Sequence, residues 1–374
     1  MKDRFRKFLS VSPLKISIGI VFIVIILYFI NFPFLHFMEL KTLDLRFISR
    51  GVRAPGGETV IATIDEKSLT ELGRWPWSRT TIARLVDVLK DSGAKAVGFD
   101  IVFAEPEEHP IIDEIADIEK DLKRTGRISP GVSRILNKKK KEADTDAILA
   151  KSIKQAGNVT LGYFFYMSGK DIGHMKTEAM DEAAKLIAGS KYQLVQYFGK
   201  PIADPVMEAL AVAPNIKPLS EAAENSGFFN AFPDTDGTNR WSTLAINFRD
   251  NYYPSLSMAV LEQYLDWPTT SLLMTDYGLE GIKIGDTVIP TDESGRILIN
   301  YLGPIQTFRY YSIADIFNGR LDKDTLKDKI VLVGATATGI YDLRVTPFSA
   351  VYPGVEIHAT VIDNILHQNF IKRP

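Results

Sequence analysis

Apolar residues run almost unbroken from Leu14 to Leu35 (LKISIGIVFIVIILYFINFPFL), with Lys15 as the one charge. A helix of about 20 such residues crosses a ~30 Å hydrocarbon core. Residues 14–35 are therefore predicted to be a transmembrane helix, with Lys15 snorkelling and residues 1–13 forming a cytoplasmic tail. A cleaved signal peptide would need a small-x-small cleavage site, whereas Phe32-Pro33-Phe34-Leu35-His36 follows the span. Lys2, Arg4, Arg6, Lys7 and Lys15 precede it, and Lys41, Arg46, Arg50 and Arg53 follow. Five charges against four mildly favour an N-terminus inside.

Beyond the span the period changes. Thr59–Ile64 (TVIATI) is a β-branched run ending at Asp65, the pattern of a buried strand. Ser78 then opens a helix with Ile82, Leu85, Val86 and Leu89 on one face, stopped by Ser92-Gly93. Lys95–Phe99 is a second strand ending at Asp100. Strand, helix and strand make a βαβ unit, which predicts a parallel pair. Residues 105–143, rich in charge and partly helical, and 167–218, weakly patterned, read as two insertions, with helical pieces in the second at 179–188 and 204–211. Between them lie a helix at 144–155, capped by Asp144 and closed by Gly157, and a strand at 159–165.

Further along, a short helix at 219–225 precedes a strand-like run at 227–230. A tight Asp234-Thr235-Asp236-Gly237 turn leads into a strand at 240–248, and an amphipathic helix spans 255–265. Strands at 282–289 and 296–301 flank a turn, and a short helix covers 315–318. The apolar strand Lys329–Val333 enters a glycine-bearing loop, 334–339, and a last helix runs over Val355–Leu366. The expected fold is α/β: a mixed, largely parallel sheet flanked by helices, with 36–374 forming one extracytoplasmic domain.

Charge and composition narrow the chemistry. A formal charge of −2 gives no basic face for nucleic acid. With no cysteine, thiolate metal sites, Fe–S clusters and thiol nucleophiles are excluded, and no cofactor is expected. The five histidines are scattered, no GxSxG elbow is present, and GATATG at 334–339 lacks the P-loop spacing. Ligands of parallel sheets sit beyond the carboxyl ends of strands. That points to Asp65 and Asp100, which as strand-end residues would equally serve as helix caps. The Arg74-Trp75-Pro76-Trp77-Ser78-Arg79 corner suits either a structural corner or a pocket wall. Asp342 and Arg344 lie beyond the glycine loop, and Glu356 and His358 open the last helix. Asp65, Arg74, Trp75, Trp77, Arg79, Asp100, Asp342, Arg344, Glu356 and His358 form the candidate ligand set. No catalytic or metal residue is expected.

Asp44-x-Arg46, IATIDEKSLTELGRWPWSR, GAKAVGFDIVFAEPE, PDTDG, YPSLSMAV, GRILINYLGP, KIVLVGATATG and TPFSAVYPGVEIHATVIDNIL, in that order, resemble the CHASE2 extracytoplasmic sensor family from Leu40 to Pro374. The resemblance implies an anchored sensor of a bacterial inner-membrane receptor, with its main domain periplasmic. It also implies further membrane helices after Pro374 and a cytoplasmic output: a nucleotide cyclase, a histidine or serine/threonine kinase, or a diguanylate cyclase. The implied partners are a small-molecule or protein ligand, the bilayer, and a second copy in a homodimeric receptor. The two insertions depart from the family pattern, and no binding residue is inherited. The alternative is a free-standing anchored α/β binding protein or enzyme using the strand-end acids.

Overall fold

The computed structural model describes residues 12–29, 33–108, 110–126, 128–173, 175–199, 204–337, 339 and 343–371. The chain divides into two compact units, Met1–Gly51 and Val52–Pro374. In the first, helix Pro13–Phe29 is followed by helix Pro33–Arg50. The span expected over 14–35 is thus described as helical over Pro13–Phe29 and again from Pro33. Residues 30–32 lie outside the described residues, and Pro33, well suited to a first helical position, opens a new helix. Among the described residues no helix is long and apolar enough to cross a membrane. The 17 described residues of Pro13–Phe29 rise about 25 Å.

The second unit is built on a seven-stranded sheet. Its strands are β1 (Thr59–Ile64), β2 (Ala96–Phe99), β3 (Val159–Tyr166), β4 (Ala211–Ala213), β5 (Asn225–Phe228), β6 (Arg309–Ser312) and β7 (Ile330–Ala335). The order runs β6-β1-β7-β2-β3, with β3 pairing both β4 and β5. Every pairing is parallel except β3–β4, so the mixed, largely parallel sheet expected from the sequence is present. β1 and β2 are parallel but not neighbours: β7, from near the chain's end, lies between them. Nothing local to a βαβ unit can announce a strand arriving from 230 residues away.

Helices cover both faces, which is why the parallel strands read as continuous apolar runs. Ile61, Ala96 and Leu332 pack on one side with helix Leu256–Tyr264 and the last helix, Gly354–Leu366. Val60, Ala62, Ile64, Val97, Phe99 and Val331 pack on the other with helices Arg79–Asp91 and Thr145–Ala156. The helix after Asp144 is capped as the sequence suggests: Asp144 accepts from Ala147 N at 3.0 Å, and Gly157 closes it at φ 67°.

Several local expectations are corrected. Residues 240–248 make two strands, Trp241–Thr243 and Ala245–Phe248, with different partners. Residues 282–289 turn back on themselves at Gly285 (φ 56°), giving Gly278–Ile284 and Thr287–Pro290. Residues 204–211 are not helical. Instead β4 follows, while Leu194–Tyr197 joins a separate four-stranded sheet, so the 167–218 segment is woven into the fold. The 105–143 insertion holds two helices, Pro110–Arg124 and Pro130–Ala143.

Candidate ligand-binding site

The charged residues singled out from the sequence resolve into separate networks. Asp65 caps helix Glu66–Leu72: its Oδ1 accepts from Ser68 N at 2.8 Å, Ser68 Oγ at 2.6 Å and Ser312 Oγ at 2.8 Å. Its acceptor capacity is turned to the β1–β6 edge, so capping is its work. Arg79 belongs to a different network. It donates to Asp146 Oδ1 at 2.9 Å and to Glu105 O at 2.8 Å, with its guanidinium 4.7 Å from the Phe103 ring.

The aromatic corner is a packing device. Trp75 and Trp77 meet edge to face at 5.5 Å, the arrangement ring quadrupoles favour. Trp77 is buried and donates Nε1–H to Gly73 O at 2.8 Å. Trp75 is half-buried and Arg74 exposed. Asp342 lies outside the described residues.

Glu356 is fully buried. Its carboxylate accepts from Gln306 N, Thr307 N and Phe308 N at 3.0–3.2 Å and from Tyr310 Oη at 2.6 Å. Burial raises its pKa, and these four donors oppose the rise. It pins the 304–308 loop to the last helix and is not available to a ligand.

What remains together is a smaller group at the carboxyl edge of β2. Asp100, Arg344 and His358 line one pocket with Asn230, Asn239 and Trp241. His358 Nε2 lies 3.9 Å from Asp100 Oδ1, and its Nδ1 lies 2.8 Å from Ser257 Oγ. Burial first, and the Arg344 charge second, push the His358 pKa down to about 4, so the ring is neutral near pH 7. Asn239, 3% exposed, leaves its Oδ1 buried without a hydrogen-bond partner. The cavity is about 30 Å³, room for about two waters.

Asp100, His358 and Ser257 do not make a hydrolytic triad. Ser257 is fully buried, the acid stands beyond hydrogen-bond reach, and serine and acid sit on the wrong ring nitrogens for the relay. Gly334, which opens the glycine loop, has a packing role. A Cβ on Gly334 would stand 2.7 Å from Val355 Cβ, so Gly334 exists to let the last helix approach β7.

The sequence reading missed Asn230, Asn239, Trp241 and Ser257. Asn239 and Trp241 flank Arg240 where the PDTDG turn enters the strand Trp241–Thr243, and that adjacency is the one signal that pointed to them. Arg240 itself is fully buried. It is gripped by Asp236 through both Nη atoms at 2.9 Å and by Asp234 at 2.9 Å, which fixes the strand carrying its two neighbours.

An α/β domain with a polar pocket at the carboxyl edge of its sheet, closed by the first turn of its final helix, has the build of a ligand-responsive module. The chain belongs to the CHASE2 domain family, whose model matches residues 19–374. CHASE2 domains are extracytoplasmic sensory domains of receptors. No curated protein and no solved structure matches this chain.

Proposed function

We propose that this chain is the sensory part of a membrane receptor and that a small polar, zwitterion-like solute is read by the pocket of Asp100, Arg344 and His358. The observation that carries the reading is the meeting of opposite charges, a neutral imidazole and the unsatisfied Asn239 oxygen in one pocket against the start of the last helix. Asp100 would take an ammonium, Arg344 a carboxylate or phosphate, and the Trp241 ring would form a wall. A sensor must bind one conformation better than another. A solute larger than two waters can enter only by moving Arg344 or the start of the last helix, and that movement is the signal.

In this reading helix Pro13–Phe29 anchors the chain, with the N-terminus inside and Val52 onward outside. Its one charge is Lys15, and Ile16, Ile20, Phe22, Val24 and Ile26 are all exposed. A helix that is apolar all round needs an apolar surround. In the same reading a cytoplasmic output, a nucleotide cyclase before a kinase, is supported by the family resemblance alone.

A thermal-shift screen of small zwitterions against the 374-residue chain tests the pocket. Hits should stabilise wild type and lose most of that shift in Asp100→Asn and Arg344→Gln. Hits unaffected by both, but lost in Glu262→Gln, would move ligand binding to the cleft of about 380 Å³ lined by Glu262, Asn225 and Trp267. Alkaline phosphatase fused at Gly57 should be active, and an inactive fusion refutes the orientation.

A further inference from the structure

We propose that Glu58, Asp363 and His367 bind one divalent transition-metal ion, of the Zn²⁺ class, at the amino edge of the sheet. One donor atom from each of the three lies within 4.8 Å of the others. Asp363 and His367 stand at i and i+4 across the end of the last helix, so both side chains lie on one face. Glu58 immediately precedes β1 and meets them from the sheet.

The hydrogen bonds around the group already orient it. His367 Nδ1 is 3.0 Å from Asp363 O and 3.5 Å from Asp363 Oδ1; both oxygens accept, so in the neutral ring the proton sits on Nδ1 and Nε2 is left to present a lone pair. Metal-bound histidines are held by this kind of bond from the other ring nitrogen. Gly56 N donates to Asp363 Oδ1 at 2.8 Å, orienting the second ligand. Gly56 also packs so closely on the imidazole that a Cβ there would stand 2.0 Å from His367 Cε1.

The decisive distance is between His367 Nε2 and Glu58 Oε2. They face each other at 3.7 Å, and Glu58 Oε2 is buried with no hydrogen-bond partner. That is too long for a hydrogen bond, so a proton on Nε2 would not satisfy the carboxylate. It is close to the roughly 3.4 Å between two ligands of a tetrahedral ion with bonds of about 2.0–2.1 Å. One imidazole and two carboxylates, with no thiolate in the chain, suit Zn²⁺ or its neighbours.

The site goes beyond the ligand reading above. The last helix, Gly354–Leu366, spans about 20 Å from the Asp100–His358 pocket to this cluster. A bound ion would tie the start of β1 to the far end of that helix.

Isothermal titration of ZnCl₂ into the purified 374-residue chain, repeated with Co²⁺ for its visible spectrum, tests the site. One ion per chain should bind with micromolar or tighter Kd, and Co²⁺ should give the intense bands of low coordination number. Glu58→Gln and His367→Gln should each weaken binding at least 100-fold. Glu58→Gln, at the partly exposed position, keeps the test open if the helix variant fails to fold. Equal affinity in wild type and Glu58→Gln, or no saturable binding below 100 µM, overturns the proposal. Asp100→Asn should leave Zn²⁺ affinity unchanged, so failure of the pocket reading and failure of the metal site are told apart.

Discussion

Ser257 and His358 meet at 2.8 Å, Oγ to Nδ1, between the two helices that cover one face of the sheet. The bond joins the first turns of both helices and sets the imidazole edge that faces Asp100. A buried hydroxyl thus has a partner, and a pocket residue is positioned by packing rather than by its own loop.

His358 should make the fold acid-sensitive. Its folded pKa is about 4, against about 6.5 unfolded. Between those values the unfolded chain binds the extra proton, so stability is lost as pH falls from about 6.5 to about 4. The full effect is roughly 3 kcal/mol. Urea unfolding of His358→Gln across that window should lack this slope. A slope equal to wild type would show that the ring protonates freely in the fold.

Glu262 should act with the opposite sign. Burial pushes its pKa up to about 7, against hydrogen bonds from Thr270 and Asn225, so the folded state holds the proton longer. Its contribution is complete below about pH 4.5 and is lost as pH rises through about 7. Glu262→Gln should be the more stable protein at pH 8, by roughly 3 kcal/mol. A variant less stable there would contradict the assignment.

Arg240→Met should cost about 3–5 kcal/mol, because it strands Asp234 and Asp236 at a buried site. Chemical denaturation measures this directly. The loss should shrink when both aspartates are replaced by asparagine, and full additivity of the three changes would deny the coupling.

Glu356→Gln keeps the volume but places an NH₂ against backbone N–H donors. Each carboxylate oxygen accepts from two donors, so two are left short of an acceptor at about 1–3 kcal/mol each; a loss of about 2–6 kcal/mol is expected, with early exchange of the Gln306–Phe308 amides. Wild-type exchange rates there would count against the clamp.

In the aromatic corner the cost should fall on Trp77. Trp77→Ala is expected to lose about 3–5 kcal/mol, and half-buried Trp75→Ala about half of that. The reverse order in thermal melts would assign the anchor to Trp75.

Much of the fold was legible because it is written locally. TVIATI is β-branched or apolar throughout and buried at every position since both faces of β1 are covered, and Ile82, Leu85, Val86 and Leu89 mark one helix face. Asp144 and Gly157 delimit a helix by backbone chemistry alone. Asp65 and Asp100 read identically, as acids ending strands. Their difference comes from neighbours 247 and 258 residues away in sequence, Ser312 and His358, and no local pattern carries that.

The sequence by itself therefore determined the α/β class, most helices, and the CHASE2 membership that its ordered motifs display. Tertiary structure alone decided that β7 separates β1 from β2, and that Glu356 clamps a loop while His358 faces a pocket two residues away. It alone brought Glu58 to the Asp363–His367 face. Periodicity is set by bonds within a few residues, whereas strand order and the partners of a buried charge are set by which distant segments share the core.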